Sequence, residues 1–251
     1  MRRLTRFARY LVPSALVVGL MSLAAPCGAQ ENPDAPTVPA VPDLGDGRGS
    51  LFAPSAWLVM STPLRKRIDL KLYGFYIGDL NVPVAQVDIP LRTTKFLTVT
   101  PSYMYYSVPA SGLNELSPHP GGFTDSYEEH QFRVDGTVAF SVRKFEISGR
   151  NMYVRRFRPA PADDVNRYRG RLAIAHPLAV QGRIWKPFAS YEAFYEPGLL
   201  VAGGWNRYRI WSGVTLPLNR RVFVQPSYMW ESTERSREIH YVLFGLIVNT
   251  R

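Results

Sequence analysis

Cysteine is almost absent from this sequence. Cys27 is the only cysteine among the 251 residues, and it lies in the N-terminal segment. If that segment is removed on export, the remaining chain has no thiol, which excludes a disulfide framework and a cysteine nucleophile. Paired histidines at ligand spacing are also missing, and no glycine-rich phosphate loop joins a strand to a helix. We therefore expect no metal site and no cofactor.

Lysine and long apolar runs are scarce as well. The chain has 30 basic and 20 acidic residues, and arginine greatly outnumbers lysine. Beyond residue 29 no run reaches the roughly 18 apolar residues that indicate a transmembrane helix, which argues against a helical membrane protein. In an exported chain the basic excess does not indicate nucleic-acid binding, so we expect no nucleic-acid partner.

Residues 1–29 have the features of a cleaved signal peptide. An arginine-rich start is followed by an apolar stretch (11–25) and by the small residues of Cys27-Gly28-Ala29 at a cleavage position. The alternatives are an uncleaved membrane anchor and a lipoprotein acylated at Cys27. Residues 30–50 are rich in Pro, Gly and Asp, which predicts a disordered linker. The folded domain is then 51–251.

Apolar and polar residues alternate from about Trp57 onward, which is the pattern of β-strands. In the segment 166–175 the large apolar residues and the arginines occupy alternate positions. Tyr168, Leu172 and Ile174 lie on one face of the strand, and Arg167, Arg169 and Arg171 lie on the other. Counting such segments gives about eleven strands. Short connections (near 63–66, 91–94, 142–144, 179–183 and 217–220) alternate with longer ones (near 108–126, 158–165, 197–204 and 232–237), as in outer-membrane barrels.

The fold class predicted from this pattern is all-β, a closed antiparallel transmembrane β-barrel of about 10–12 strands. Single-chain bacterial barrels usually have an even number of strands, so we favour about twelve, with a further strand near 51–55. A closed sheet is required in a membrane because an open edge would leave backbone groups unpaired in hydrocarbon.

The two faces of the strands are assigned by the cost of placing arginine in lipid. One arginine facing lipid at mid-depth costs about 2–4 kcal/mol, so the arginine face must point inward. The predicted lumen-lining residues are Glu129, Gln131, Arg133, Asp135, Glu146, Arg150, Arg167, Arg169, Arg171, Glu192, Arg207, Arg209 and Gln225. The predicted lipid-facing or interfacial residues are Phe132, Val134, Tyr153, Tyr168, Leu172, Ile174, Tyr191, Tyr195, Tyr208, Tyr228 and Trp230. Tyr103, Tyr105 and Tyr241 extend the expected aromatic girdles.

The chain from about Trp57 to its end resembles the bacterial outer-membrane barrels grouped as domain of unknown function 2490. The resemblance is carried by Tyr127-Glu128-Glu129-His130-Gln131-Phe132-Arg133, Trp185-Lys186-Pro187-Phe188-Ala189-Ser190-Tyr191-Glu192, and Asn206-Arg207-Tyr208-Arg209 followed by Gly213. It implies an outer-membrane barrel with a charged interior, located in the cell outer membrane of a Gram-negative envelope. It implies no reaction.

Several functions agree with a charged lumen. Rings of arginine bias a pore toward anions, so the expected function is a porin-like pore for small polar or anionic solutes. A lumen filled by paired side chains would instead make a non-conducting structural barrel. We expect no enzyme; the alternative is an outer-membrane acyl hydrolase or transferase using His130 with Ser126 and Asp125. A soluble periplasmic lipocalin-like binder is a further alternative. Expected partners are outer-membrane lipid, the outer-membrane insertion machinery and small solutes.

Overall fold

A computed structural model of the chain describes residues 50–77, 82–108, 126–158, 164–197, 204–233 and 238–250. The predicted signal peptide and the predicted linker up to residue 49 lie outside these described residues. No helix within the described ranges is long and apolar enough to cross a membrane. The strands are β1 (Ser50–Arg65), β2 (Ile68–Ile77), β3 (Val82–Asp88), β4 (Leu91–Arg92), β5 (Leu97–Val108), β6 (Tyr127–Val142), β7 (Phe145–Phe157), β8 (Val165–Ala175), β9 (Leu178–Val180), β10 (Arg183–Tyr195), β11 (Trp205–Pro217), β12 (Val222–Thr233) and β13 (Glu238–Asn249).

Eleven strands of the described chain close into one ring. Each of them pairs with two neighbours, and the ring is completed because β1 pairs with both β2 and β13. The short strands β4 and β9 lie beside the ring: β4 pairs with β2 and β5, and β9 pairs with β10. The prediction of an all-β closed barrel within the range of 10–12 strands is confirmed.

The preference for twelve strands and for purely antiparallel pairing needs correction. Residues 51–55 form no separate strand, because they are the beginning of β1. Each of the other ring strands runs antiparallel to the strand before it, so with an odd number the first and last strands run in the same direction. The closing seam is therefore parallel, with β1 and β13 in register from Ser50 opposite Glu238 to Ser61 opposite Asn249.

The two ends of the barrel differ in their connections. We call the end with the connections 66–67, 89–96, 143–144, 176–182 and 218–221 the turn end. The opposite end, with the connections 78–81, 109–126, 158–164, 196–204 and 234–237, is the loop end. The turn before β10 is tight because Gln181 and Gly182 both have positive φ, 48° and 74°, as two-residue hairpin turns require.

Side chains alternate between the outside and the inside of the ring. Large apolar side chains are exposed on the outside, including Phe132 (56% exposed) and Leu172 (61%). Arginine and glutamate side chains of the same strands are buried inside, as for Arg133 and Arg167. The interior is therefore polar on these strands, and the apolar surface lies on the outer wall, which is the reverse of a water-soluble barrel.

The parallel seam is packed by one tryptophan over one glycine. Trp57 on β1 lies directly opposite Gly245 on β13. A Cβ atom added to Gly245 would lie 2.2 Å from the indole Cε2 and Cζ2 atoms of Trp57. The indole therefore occupies the space that any other side chain at position 245 would need, and an aromatic ring over a strand glycine compensates for the missing side chain.

We expect Gly245→Ala to destabilise the barrel by about 1–3 kcal/mol, the usual cost of overpacking. The indole of Trp57 has to move to make room, so its fluorescence should change as well. Gly136→Ala is the control, because a Cβ there meets nothing within 4 Å. Urea unfolding of the refolded variants measures both. Equal stability of the two variants would contradict the packing of the seam.

Candidate functional site

Buried ion pairs occupy part of the interior near the loop end. Arg156 donates to both carboxylate oxygens of Glu129, from Nε at 2.6 Å and from Nη2 at 2.7 Å. Arg156 also donates from Nη1 to Glu196 at 3.3 Å, and Glu196 accepts hydrogen bonds from Arg167. Glu129 is 0% exposed. We call these four residues the loop-end network.

A second carboxylate, Glu192, holds three arginines in the middle of the lumen. It accepts from Arg150 at 2.8 Å and from Arg169 at 2.9 Å, and Arg209 Nη1 lies 3.8 Å from it. Strands β10, β8 and β11 are neighbours, and their register places Glu192 opposite Arg171 on one side and Arg209 on the other. Arginine suits this position because it remains charged and binds carboxylates in a planar geometry.

Phe194 lies within the arginine cluster, two residues after Glu192 on the same face of β10. Its side chain is buried. Four guanidinium groups lie near its ring centroid: Arg169 at 4.6 Å, Arg209 at 4.7 Å, and Arg167 and Arg207 at 5.7 Å. The ring face attracts cations and separates like charges that would otherwise repel each other. It helps to hold arginines of β8 and β11 in fixed positions.

Two inward arginines have no ion pair among the described residues. Arg133 donates to Gln131 at 2.6 Å and 2.9 Å and to Gln86 at 3.1 Å. The Nε atom of Arg171 is buried without a hydrogen-bond partner. The other six inward arginines of β7, β8 and β11 share four glutamates, and the inward Asp88 and Asp135 also have no ion pair among the described residues. These eight arginines therefore outnumber the six carboxylates around them.

The opposite wall of the lumen, on β1, β2 and β13, is largely apolar. A cavity of about 470 Å³ lies between this wall and the arginines. Its apolar side is formed by Trp57, Phe75, Met229, Tyr241 and Leu243. The lumen is therefore divided, with cations on one side and aromatic and aliphatic groups on the other. Alternation along the strands predicted the charged side of the lumen but not the apolar side.

The structure places the predicted lumen-lining residues as follows. Eight are buried: Glu129, Gln131, Arg133, Asp135, Arg167, Glu192, Arg207 and Gln225. Four are partly buried in the interior: Arg150, Arg169, Arg171 and Arg209. Glu146 is exposed at the turn end, where Lys186 donates to it at 2.9 Å. The charged residues on β6, β7, β8, β10 and β11 are thus brought together, while Glu146 lies apart at the rim.

The predicted lipid-facing residues lie on the outer face. Nine are exposed: Phe132, Val134, Tyr153, Tyr168, Leu172, Ile174, Tyr191, Tyr208 and Tyr228. Tyr195 and Trp230 are partly buried. One residue assigned to the aromatic girdle was misplaced, because Tyr241 is buried inside the barrel. Its neighbours Ile239 and Leu243 share its parity on β13, so this strand turns apolar groups inward and does not follow the arginine strands.

Several carboxylate and guanidinium groups of the interior were missing from the predicted set, among them Asp88, Arg156, Glu196 and Glu231. Arg156, Glu196 and Glu231 are all buried. Each lies one or a few residues beyond the segment in which alternation was followed, toward the loop end. Continuing the same parity along β7, β10 and β12 would have found them, because alternation extends to the ends of these strands.

The candidate catalytic histidine, His130, is hydrogen-bonded to a tyrosine. His130 Nδ1 lies 2.6 Å from the hydroxyl of Tyr103 on the neighbouring strand. Ser126 is exposed and Asp125 lies outside the described residues. His240 has the same arrangement with Tyr228, also at 2.6 Å. Within the part of the chain that the structure covers, no hydrogen bond joins a serine to a histidine.

Solved structures with a similar fold are outer-membrane proteins of low sequence identity. LpxR from Salmonella typhimurium is 8% identical with a TM-score of 0.43, and the match covers 72% of this chain and 83% of LpxR. OmpT, an outer membrane protein of Vibrio cholerae, is 9% identical with a TM-score of 0.38, over 67% of this chain and 52% of OmpT. No curated protein matches the sequence.

The prediction that the chain is not an enzyme is wrong as an exclusion, because an outer-membrane barrel fold does not exclude an enzyme. The family resemblance, by contrast, is confirmed. A family model described as "Protein of unknown function (DUF2490)" matches residues 66–241, which is most of the chain. This chain therefore belongs to the DUF2490 family.

Proposed function

We propose that this chain is an outer-membrane β-barrel that passes small anionic solutes through an arginine-rich lumen, and that the loop-end network holds the lumen closed at rest. The proposal rests on one observation: the loop-end network is buried at one end of the lumen, and arginines outnumber carboxylates in its middle. Its partners would be outer-membrane lipid around the barrel and the insertion machinery during assembly.

The outer surface supports a location in the outer membrane. Exposed aliphatic groups such as Leu172 and Ile174 form part of the outer wall, and tyrosines such as Tyr168 and Tyr191 lie on the same face. A band of apolar groups with aromatic residues toward its edges suits the hydrocarbon and interface layers of a bilayer.

The charge balance of the interior supports selectivity for anions. Eight inward arginines, including Arg133 and Arg171 without an ion pair among the described residues, face four glutamates and two aspartates. A positive excess in a narrow, partly apolar lumen raises the local concentration of anions and repels cations. At the turn end the lumen widens into a second cavity of about 680 Å³.

The loop-end network supports closure, and also supports the second candidate, a non-conducting structural barrel. Glu129, Arg156 and Glu196 are buried. These hydrogen-bonded side chains occupy part of the lumen at their level. The two candidates differ in whether removing these side chains opens a path.

Planar-bilayer recording of the refolded chain tests the proposal. We expect no steady conductance from the wild type, and anion-selective conductance from the double variant Glu129→Ser/Arg156→Ser, which removes one charge of each sign. Glu146→Ser/Lys186→Ser is the control, because it removes an exposed pair at the turn end. Steady conductance of the wild type would exclude the closure, cation selectivity of the double variant would exclude the anion pathway, and silence of a folded double variant would favour the structural barrel.

A further inference from the structure

We propose that the cavity between the arginines and the apolar wall binds an organic anion whose charged group faces Arg171 and whose apolar body lies against Trp57. The inference rests on the proposed entry of anionic solutes into the lumen and adds the kind of solute. It concerns the cavity of about 470 Å³ in the middle of the barrel.

The unpaired polar atoms around this cavity are all N–H donors. Trp57 Nε1, Trp211 Nε1, Arg169 Nε and Arg171 Nε are buried without a hydrogen-bond partner, and all four residues line the cavity. A buried donor without a partner is costly, so a ligand gains from each of these N–H groups that a side-chain shift brings to one of its acceptors. A set of donors alone calls for a carboxylate or a similar anion.

The carboxylates that line the same cavity already accept hydrogen bonds. Asp88 accepts from Gln86 at 2.7 Å, Asp135 accepts from Thr137 at 3.0 Å, and Glu192 accepts from two arginines. The protein's own acceptors are thus engaged, while the donors named above remain unused. The ligand has to bring the missing acceptors.

The apolar wall indicates that the ligand is more than a bare inorganic ion. Trp57 and Phe75 lie with ring centroids 6.5 Å apart, and Phe75 stacks on Tyr73 at 5.9 Å. A small inorganic anion at Arg171 would leave these rings against water. An aromatic or aliphatic body covers them and gains from the burial of apolar surface.

The cavity lies next to the larger cavity at the turn end. Arg171 and Trp211 line both this cavity and the larger cavity at the turn end, so the two spaces adjoin at these residues. The loop-end network lies on the other side. A solute entering from the turn end therefore meets Arg171 at the boundary between the two cavities.

Titration of the refolded full chain with 2-naphthoate, followed by tryptophan fluorescence and by calorimetry, tests the site. We expect saturable binding, with the neutral 2-naphthamide and with acetate each binding about tenfold or more weakly, because one lacks the charge and the other the apolar body. Arg171→Gln should weaken naphthoate binding about tenfold or more, while Arg155→Gln, on the outer face beside Asp164, should leave it unchanged.

Folding of each variant is checked by the mobility of heated and unheated samples on gels. Trp211→Phe is a second test variant, which removes one N–H donor of the cavity and keeps an aromatic ring. Equal binding of naphthoate and naphthamide, equal loss in Arg171→Gln and Arg155→Gln, or no saturable binding would each overturn the site. Conductance of the double variant described above decides the proposed function independently, because it needs no naphthoate.

Discussion

Leu172→Arg is expected to destabilise the barrel in lipid vesicles by about 2–4 kcal/mol, the cost of arginine at mid-depth in the bilayer. Leu172 is 61% exposed on the outer wall, four residues along β8 from Tyr168 toward the turn end. In a water-soluble barrel the same substitution at so exposed a position would change the stability by less than about 0.5 kcal/mol. The size of the effect therefore tests whether the outer wall faces lipid.

The matched control is Leu218→Arg. Leu218 is as hydrophobic and is also exposed, but it lies just beyond β11, in the turn-end connection 218–221. We expect a change of less than about 1 kcal/mol there, because the cost of a lipid-facing charge falls near the interface. Urea unfolding of both variants in vesicles gives the comparison. Equal and small effects at the two positions would contradict the membrane location.

Glu129→Ala is expected to destabilise the barrel by about 3–5 kcal/mol, because it leaves the buried Arg156 without its bidentate partner. Arg156 keeps only the contact with Glu196 at 3.3 Å and a donated hydrogen bond to Tyr106 at 3.2 Å. Removing both charges together by Glu129→Leu/Arg156→Met should cost far less, because apolar groups of similar volume need no partner. Unfolding in urea measures the two variants side by side.

The control for the buried pair is the exposed pair of Glu146 and Lys186. Its side chains are 47% and 39% exposed, so Glu146→Gln should change the stability by less than about 1 kcal/mol. If Glu129→Ala were no more costly than Glu146→Gln, the loop-end network would contribute nothing to holding the lumen closed.

The arginine-bearing strands could be predicted because alternation is a local property of the backbone. Successive side chains of a strand point to opposite faces, so Arg167, Arg169 and Arg171 must share one face wherever β8 lies. The same reasoning reached Arg207 and Arg209 on β11. It stopped short of Arg156 and Glu231 only because alternation was not followed to the ends of β7 and β12.

Other features needed the folded barrel because they depend on which strands become neighbours. Glu192 meets Arg150, Arg169 and Arg209, which come from strands on both sides of β10 or one strand further. The alternation of β10 alone does not say which cations are near. The apolar wall was missed for a related reason: Tyr241 lies on an alternating strand, but alternation does not tell inside from outside where neither face carries a charge.

The sequence by itself determined that the chain forms a barrel of alternating strands with arginine on one face, since this follows from local periodicity and from the cost of charge in lipid. The tertiary structure decided the number of strands in the ring, the parallel seam between β1 and β13, and the division of the lumen into a charged and an apolar side. These depend on the direction and pairing of residues far apart in the chain, such as Trp57 and Gly245, which meet only when the ring closes.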